Sequence, residues 1–333
     1  MSASSGRREA RADVSVVIPA LNAASTLEGC LAALAEQTIK PGEVIVVDDG
    51  STDETPEIAR RMGAEVLTQD NAGAGAARNR GAKAAGGELL LFTDADCAPV
   101  RDWVERLVQT LEDNGVVAAR GVTTSKQPEP VARFAQLEYD EKYRQLARHE
   151  SVDLVATYSA AYRRDAFWRF GGFDEGFAGA TSEDQELSFR LADADLKTAF
   201  VPRAKVAHHH HTSLRGYVRR KFRIGYAKAR IGRRHPDKLI QDTYTPLGLK
   251  LQVGFAGVVV LGLAGAPIRR SGLRIAAVGA VGFAASSVSF LRFGRAREPS
   301  LTGRMPAYLI ARALALGSGF AMGTLAELRS GRR

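Results

Sequence analysis

Cysteine is scarce: Cys30 and Cys97 are the only two in 333 residues. They have no metal-ligand spacing and are too few for a disulfide framework, which points to a reducing, cytoplasmic setting. An apolar leader is also missing, since Met1 to Asp13 is polar and charged, so no signal peptide is expected. A dinucleotide fingerprint is absent as well. Reading Gly-x-Gly-x-x-Gly from Gly73 puts Arg78 on the third glycine, and the run follows the third expected strand instead of the first. Acidic residues are scarce in one place only. From Lys205 to the end, 23 Lys and Arg face Asp237, Asp242, Glu298 and Glu327, a balance of +19. The total of +9 therefore leaves −10 for residues 1–204. An acidic front half makes a poor nucleic-acid binder, and a basic rear half that is also apolar favours an anionic membrane surface.

Ordinary apolar content, 45%, with 25% charged residues, describes a chain able to build a substantial core. In the front half, short apolar runs alternate with amphipathic stretches. Val14–Pro19, Glu43–Val47, Ala64–Thr68 and Glu88–Phe92 read as strands, and Thr26–Gln37, Thr52–Met62 and Gly75–Ala85 as helices, the first opened by a Ser25-x-x-Glu28 capping box. Such alternation predicts a parallel sheet covered on both faces, with ligands at the carboxyl ends of its strands. A less regular block, Val116 to His211, holds the charged stretch Pro130–His149, then Leu154–Tyr162, a Gly-Gly turn at 171–172 and Glu183–Ala192.

Leu214, Val218, Phe222, Gly225 and Tyr226 recur at near-helical spacing among arginines and lysines, the pattern of a basic interfacial helix or of a solvated basic face. Beyond lie three Gly/Ala-rich apolar runs, Val253–Ile268, Ile275–Leu291 and Pro306–Leu325. They are near the roughly 20 residues of a membrane span, with a soluble helical domain as the other reading. Both connecting loops are basic, so charge gives no single topology.

Several constellations carry chemistry. Val47-Asp48-Asp49-Gly50-Ser51-Thr52-Asp53 places carboxylates at a strand end, to meet a base or ribose or simply to cap a turn. Asn71 to Gly81 is a glycine-rich helix start whose Arg78 suits a diphosphate. In Thr93-Asp94-Ala95-Asp96 the two carboxylates, two residues apart, are expected on one side of an extended chain, as hard ligands for Mg2+ or Mn2+. Gly171-Gly172-Phe173-Asp174-Glu175 precedes Thr181-Ser182-Glu183-Asp184, where a carboxylate either caps a helix or acts as general base. Within His208–His211, alternate imidazoles share a face, and one is a candidate metal ligand.

In this order the motifs resemble family 2 glycosyltransferases, membrane-associated and non-processive, over roughly Val14 to Tyr226. The stretch Val14-Ser-Val-Val-Ile-Pro-Ala-Leu-Asn22 joins the motifs above in carrying the likeness. The resemblance implies a GT-A fold, a Rossmann-like mixed α/β sheet, followed by C-terminal membrane helices. It divides the chain into a polar tail (1–12), a catalytic domain (13–212), a basic interfacial segment (213–245) and hydrophobic helices (246–333).

Pro19, Asn22, Asp48, Asp49, Arg78 and Asp94 would then bind a UDP-, GDP- or dTDP-sugar. Asp94, Asp96 and His208 would hold a divalent metal. Asp184, with Glu183, would be the base of an inverting transfer, and Asp174 and Glu175 would border the acceptor, a glycan or polyprenyl lipid. The Gln-x-x-Arg-Trp motif of polymer-extruding members is missing after the base, which favours single addition. A nucleotidyltransferase-like enzyme and an inactive membrane scaffold of the same fold are the alternatives. The implied place is the cytoplasmic membrane, with the catalytic domain facing the cytoplasm.

Overall fold

The structure, a computed structural model, describes residues 12–113, 115–177 and 182–330. The polar tail through residue 11 and Thr181 of the Thr-Ser-Glu-Asp motif lie outside the described residues. The chain divides into two compact units, residues 12–124 with 150–209, and 125–149 with 210–330. The stretch 125–149, inside the 13–212 span drawn from sequence, belongs to the second unit.

The first unit begins β1 (Ala12–Ala20), α1 (Leu27–Ala35), β2 (Pro41–Asp48), α2 (Thr55–Arg61), β3 (Glu65–Thr68), α3 (Ala74–Ala84) and β4 (Leu89–Phe92). The apolar cores of these strands are those read from sequence. Strands β3, β2, β1 and β4 lie side by side and parallel. Then come β5 (Cys97–Pro99), α4 (Trp103–Glu112) and β6 (Val116–Thr124). After the second unit's α5 (Pro130–Leu146) follow β7 (Ala160–Arg163), α6 (Arg164–Arg169), α7 (Glu183–Asp193) and β8 (Lys197–His208). The sheet continues from β4 through β7, β6 and β8 to β5. β7 is antiparallel to both neighbours, so the parallel sheet expected from the front half becomes a mixed one.

Its core gathers Val17, Val47, Phe92, Tyr162, Phe167 and Phe173. α3 lies so close to β1 that a Cβ on Gly81 would sit 2.4 Å from Val17 Cγ1. The Ser25-x-x-Glu28 capping box does not form, because α1 starts one residue later, without a side-chain cap on Thr26. Instead the Ala23 and Ala24 amides donate to Thr55 and Asp53, and the Ala23 carbonyl accepts from Thr26 and Leu27. The turn is held from the next loop, so Ser25 has no capping duty.

The second unit consists of α5, α8 (Leu214–Arg234), α9 (Leu247–Gly265), α10 (Ser271–Arg297) and α11 (Met305–Ser330). The last three are long and apolar enough to cross a membrane. α10 and α11 include the second and third apolar runs read from sequence and extend past both ends of each, while α9 starts six residues before the first run and ends at Gly265, three residues short of Ile268. Their contacts rest on small residues, as close helix packing without a hydrophobic drive requires. A Cβ on Gly225 of α8 would stand 2.2 Å from the Leu316 carbonyl, and one on Gly319 of α11 2.1 Å from that of Phe222. This approach selects the buried stripe of α8. Tyr217, Gly225, Ala229 and Ile231 face inward, while Leu214 and Tyr226 of the expected apolar stripe are exposed.

One carboxylate organises this unit. Glu138 of α5 accepts from Arg312 of α11 (2.9 Å), and from Lys221 (2.9 Å) and Tyr217 (2.9 Å) of α8. The same Arg312 donates to Gln252 of α9. Burial works against the Glu138 charge, but Lys221 and Arg312 outweigh it and hold the pKa down at about 2. Burial acts on Lys221 too and brings it to about 8, so Arg312 is the more dependable cation of the pair.

Removing Glu138 strands two buried cations. Glu138→Ala is expected to destabilise the helical unit by about 3–5 kcal/mol, read as a lowered melting temperature in detergent. Because the folded pKa lies below the ordinary 4.5, this stabilisation is present above pH 4.5 and fades as pH falls toward 2.

Candidate active site

The parallel topology brings the carboxyl ends of β1, β2 and β4 to one edge, where open α/β sheets bind ligands. Asn22 follows β1 in a left-handed conformation, φ 49°. Its side chain accepts from the Thr52 amide (2.8 Å) and its own amide donates to Ser51 Oγ (2.9 Å), joining the loops after β1 and β2. Pro19 is half-buried, in register with Val47.

The paired aspartates after β2 have different duties. Asp48 accepts from the Ser51 amide (3.0 Å) and shapes the turn. Asp49 uses both oxygens on the loop after β3: Oδ1 accepts from Gln69 (2.7 Å) and the Ala72 amide (2.8 Å), and Oδ2 from the Gly73 amide (2.9 Å). Asp49 thereby fixes the start of α3, and with it the position of Arg78.

Arg78 is buried, and its guanidinium joins two acidic motifs that lie 89 residues apart in the chain. Nη2 meets Asp94 Oδ1 at 2.6 Å, and Nη1 meets Glu183 Oε1 at 2.6 Å. Burial alone would lower the Arg78 pKa, but Asp94, Glu183 and Asp184 together raise it above its usual value. The guanidinium is therefore committed to carboxylates, where the sequence pattern suited it to a diphosphate. The other oxygen of Glu183 is buried without a hydrogen-bond partner among the described residues.

Next to it, Asp184 accepts from the Gln185 amide (2.8 Å) and, at 3.4 Å, the Thr157 amide. Burial and the neighbouring Glu183 charge push its pKa up, to about 6, against the opposing pull of Arg78. A carboxyl at this value changes protonation state near neutrality, as general-base chemistry needs.

Asp94 and Asp96 do not lie on an extended chain. The Cys97 amide donates to the Asp94 carbonyl (3.0 Å), closing a turn directly after β4, so period-two alternation is not what sets their directions. Asp94 goes to Arg78, while Asp96 Oδ2 stands 3.6 Å from His208 Nε2 at the end of β8. The β5–β8 pairing places Cys97 opposite His208. Asp96, Cys97 and His208 thus offer ligand atoms within 4.8 Å of one another. Burial, with the charges of Asp94 and Asp96, pushes the Cys97 thiol well above its usual value, so it stays protonated and is the poorest donor of the three. Carboxylate oxygen with imidazole fits Mn2+ or Mg2+ better than a thiophilic ion.

The histidine run does alternate: His208 and His210 are buried, His209 and His211 exposed. Only His208 belongs here, since His210 is part of the second unit, stacked on Tyr139 and bonded to Gln136 at 2.9 Å.

The Gly171–Glu175 turn is held by Asn79, a residue whose role the sequence motifs did not separate from that of Arg78. Asn79 exchanges two hydrogen bonds with the Phe173 backbone (2.8 and 2.9 Å) and donates to Glu175 (2.9 Å). Gly172 has φ 65°, and a Cβ there would lie 2.8 Å from Asn79 Oδ1. Asp174 accepts from the Gly176 amide (2.8 Å). Adjacent residues on α3 therefore secure two different acidic segments.

Comparison with known proteins gives a consistent result. Residues 15–171 match the family described as Glycosyl transferase family 2. Glycosyltransferase AglE of Haloferax volcanii is 30% identical over 253 residues, 73% of this chain and 81% of that protein. The pre-mycofactocin glycosyltransferase of Mycobacterium tuberculosis is 35% identical over 236 residues, 68% of this chain but only 49% of its own length. Among solved structures, mannosyltransferase PcManGT from Pyrobaculum calidifontis, in complex with GDP-Man and Mn2+, is similar in fold. Its TM-score is 0.56 at 24% identity, covering 91% of this chain and 86% of that one.

Arg78 lowers the pKa of Asp184, so its removal must raise it. Arg78→Gln is expected to move the Asp184 carboxyl titration, followed by carbon NMR, to higher pH, with about 3–5 kcal/mol of stability lost from stranding Glu183. Arg78→Lys, which keeps the charge but cannot span both carboxylates, should shift the titration less.

Proposed function

This chain belongs to the family 2 glycosyltransferases, and from that premise we propose that it moves a sugar from a nucleoside-diphosphate sugar to an acceptor hydroxyl by a metal-dependent, inverting single displacement. The observation that carries the reading is the Asp94–Arg78–Glu183 bridge, which holds a strand-end Asp-x-Asp turn beside a carboxyl, Asp184, poised to titrate near neutrality.

In this mechanism Pro19, Asn22 and Asp48 border the nucleotide, and Asp49 keeps the adjoining loop in place. Asp96, with Asp94 and His208, would hold Mg2+ or Mn2+, whose positive charge would offset that of a departing diphosphate. Asp184 as carboxylate takes the proton of the acceptor hydroxyl as that oxygen attacks the anomeric carbon opposite the leaving group, which inverts the centre. Glu183 acts through Arg78 and through its own charge, keeping Asp184 basic enough for the task. The Asp174–Glu175 turn borders the acceptor.

The acceptor we favour is a glycan or polyprenyl-linked lipid at the cytoplasmic membrane, with the catalytic unit on the cytoplasmic side. Three helices able to cross a bilayer, a basic rear half and two free, buried cysteines support that placement. GDP, bound as GDP-Man by the Pyrobaculum enzyme, joins UDP and dTDP as candidate donor nucleotides.

Calorimetric titration of detergent-purified protein with UDP, GDP and dTDP, each with and without Mn2+, tests the donor site. One nucleotide is expected to bind only with the metal, and Asp96→Ala to abolish that binding; no metal-dependent binding of any nucleotide would defeat the reading. For the base, Asp184→Asn should retain nucleotide binding and lose transfer by roughly a hundredfold to ten-thousandfold. Wild-type activity should fall as pH drops below about 6, where Asp184 takes up a proton. Full activity in Asp184→Asn would remove the assignment.

A further inference from the structure

The second unit contains a polar cavity of about 210 Å³ lined by none of the donor, metal or base residues. Arg144 and Arg148 of α5, the first turn of α9 from Pro246 to Leu249, Ser286 and Ser289 of α10, and Arg312 of α11 all line it. Three arginines face a single lining acid, Glu141, which burial shifts toward its neutral form. Arg144 and Arg148 are exposed and form no ion pair among the described residues, and Arg144 rests on the Phe293 ring, 4.8 Å from its centroid. Arg312 is the opposite case. Its side chain is 2% exposed and its two terminal nitrogens are bonded to Glu138 and Gln252, yet its buried Nε–H has no partner among the described residues. The start of α9 adds the positive end of a 19-residue helix.

Depth separates this cavity from an ordinary surface cleft. Arg312 stands seven residues into α11, about 10 Å along the axis at 1.5 Å per residue. All three apolar helices meet the cavity near an end of their apolar length: α9 at its start, α10 in its last third, α11 in its second turn. In a bilayer, that level is the boundary between headgroups and acyl chains. Exposed apolar side chains continue from it along two of the helices, Leu247 and Leu251 on α9 and Val288 on α10. The volume is below the roughly 300 Å³ at which pockets enclose whole drug-sized ligands, a size for a headgroup whose chains stay outside.

We propose that this cavity between α5, α9, α10 and α11 binds the phosphate headgroup of a membrane lipid, with Arg144 and Arg148 at its mouth, the buried Arg312 in its inner wall and the lipid chains along the exposed face of α9 and α10. The site requires a phosphate anion joined to an apolar tail, a chemistry shared by phospholipids and by polyprenyl phosphates. It stands independently of the donor and base assignments, because none of its residues contributes to them.

Full-length protein in a neutral detergent is titrated by calorimetry with dioctanoyl phosphatidic acid, dioctanoylglycerol, a short polyprenyl monophosphate and inorganic phosphate. Phosphatidic acid or the polyprenyl phosphate should bind, dioctanoylglycerol should not, and inorganic phosphate should bind at least about tenfold more weakly. The tighter of the two lipid phosphates identifies the source, and either one satisfies the proposal. Arg144→Gln with Arg148→Gln should weaken lipid binding about tenfold or more. The same double change at Arg215 and Arg219, exposed on α8 and away from the cavity, should leave it intact. An unchanged melting temperature in detergent in both double variants verifies that each is folded. Equal affinity for dioctanoylglycerol, undiminished binding in the Arg144/Arg148 variant, or inorganic phosphate binding as tightly as the lipids would each overturn the proposal.

Discussion

One guanidinium holds the catalytic unit's chemistry together. Arg78 is buried between Asp94 and Glu183, and three carboxylates within its field would repel one another without it. Its position depends on the loop before α3, which Asp49 fixes by accepting two backbone amides and the Gln69 side chain. That loop is reached from β2 and β3, whose parallel pairing sets where Asp49 and Gln69 meet. The unperturbed alternative, carboxylates spread over a solvated rim, would titrate near 4 and could not be poised near neutrality.

The helical unit repeats the device with the signs reversed. There a single carboxylate, Glu138, is shared by Arg312 and Lys221. In both units a lone charge of one sign is enclosed by two of the other, so each cluster is at once a structural tie and a source of imbalance. In the catalytic unit the surplus is negative and suits a divalent cation. In the helical unit it is positive and suits an anion. Buried pairs like these are costly to desolvate and are kept where geometry supplies enough hydrogen bonds. Glu183 Oε2 and Arg312 Nε, without partners among the described residues, mark where that supply ends.

Small residues decide how tightly these clusters can close. Gly81 lets α3 approach β1, and Gly172 lets the Phe173–Glu175 turn meet Asn79. In the helical unit Gly225 and Gly319 bring α8 and α11 close enough for Lys221 and Arg312 to reach the same Glu138. Composition alone would not indicate this. A basic amphipathic helix reads as a membrane-surface feature, whereas Lys221 of that helix is paired with Glu138 inside the protein.

Local pattern by itself determined the strands read to Val47 and Phe92, the three helices that follow the first three strands, the three long apolar helices and the order of acidic motifs. Alternation, apolar run length and turn residues are short-range properties, each encoded within a few residues. What only tertiary structure decided were the pairings: β7 antiparallel beside β4, α5 leaving the front half for the helical unit, and His208 separated from His210. The same holds for Arg78, which faces carboxylates instead of solvent. Each of these joins residues distant in the chain through packing or a shared charge, and a sequence read in windows carries no term for interactions of that range.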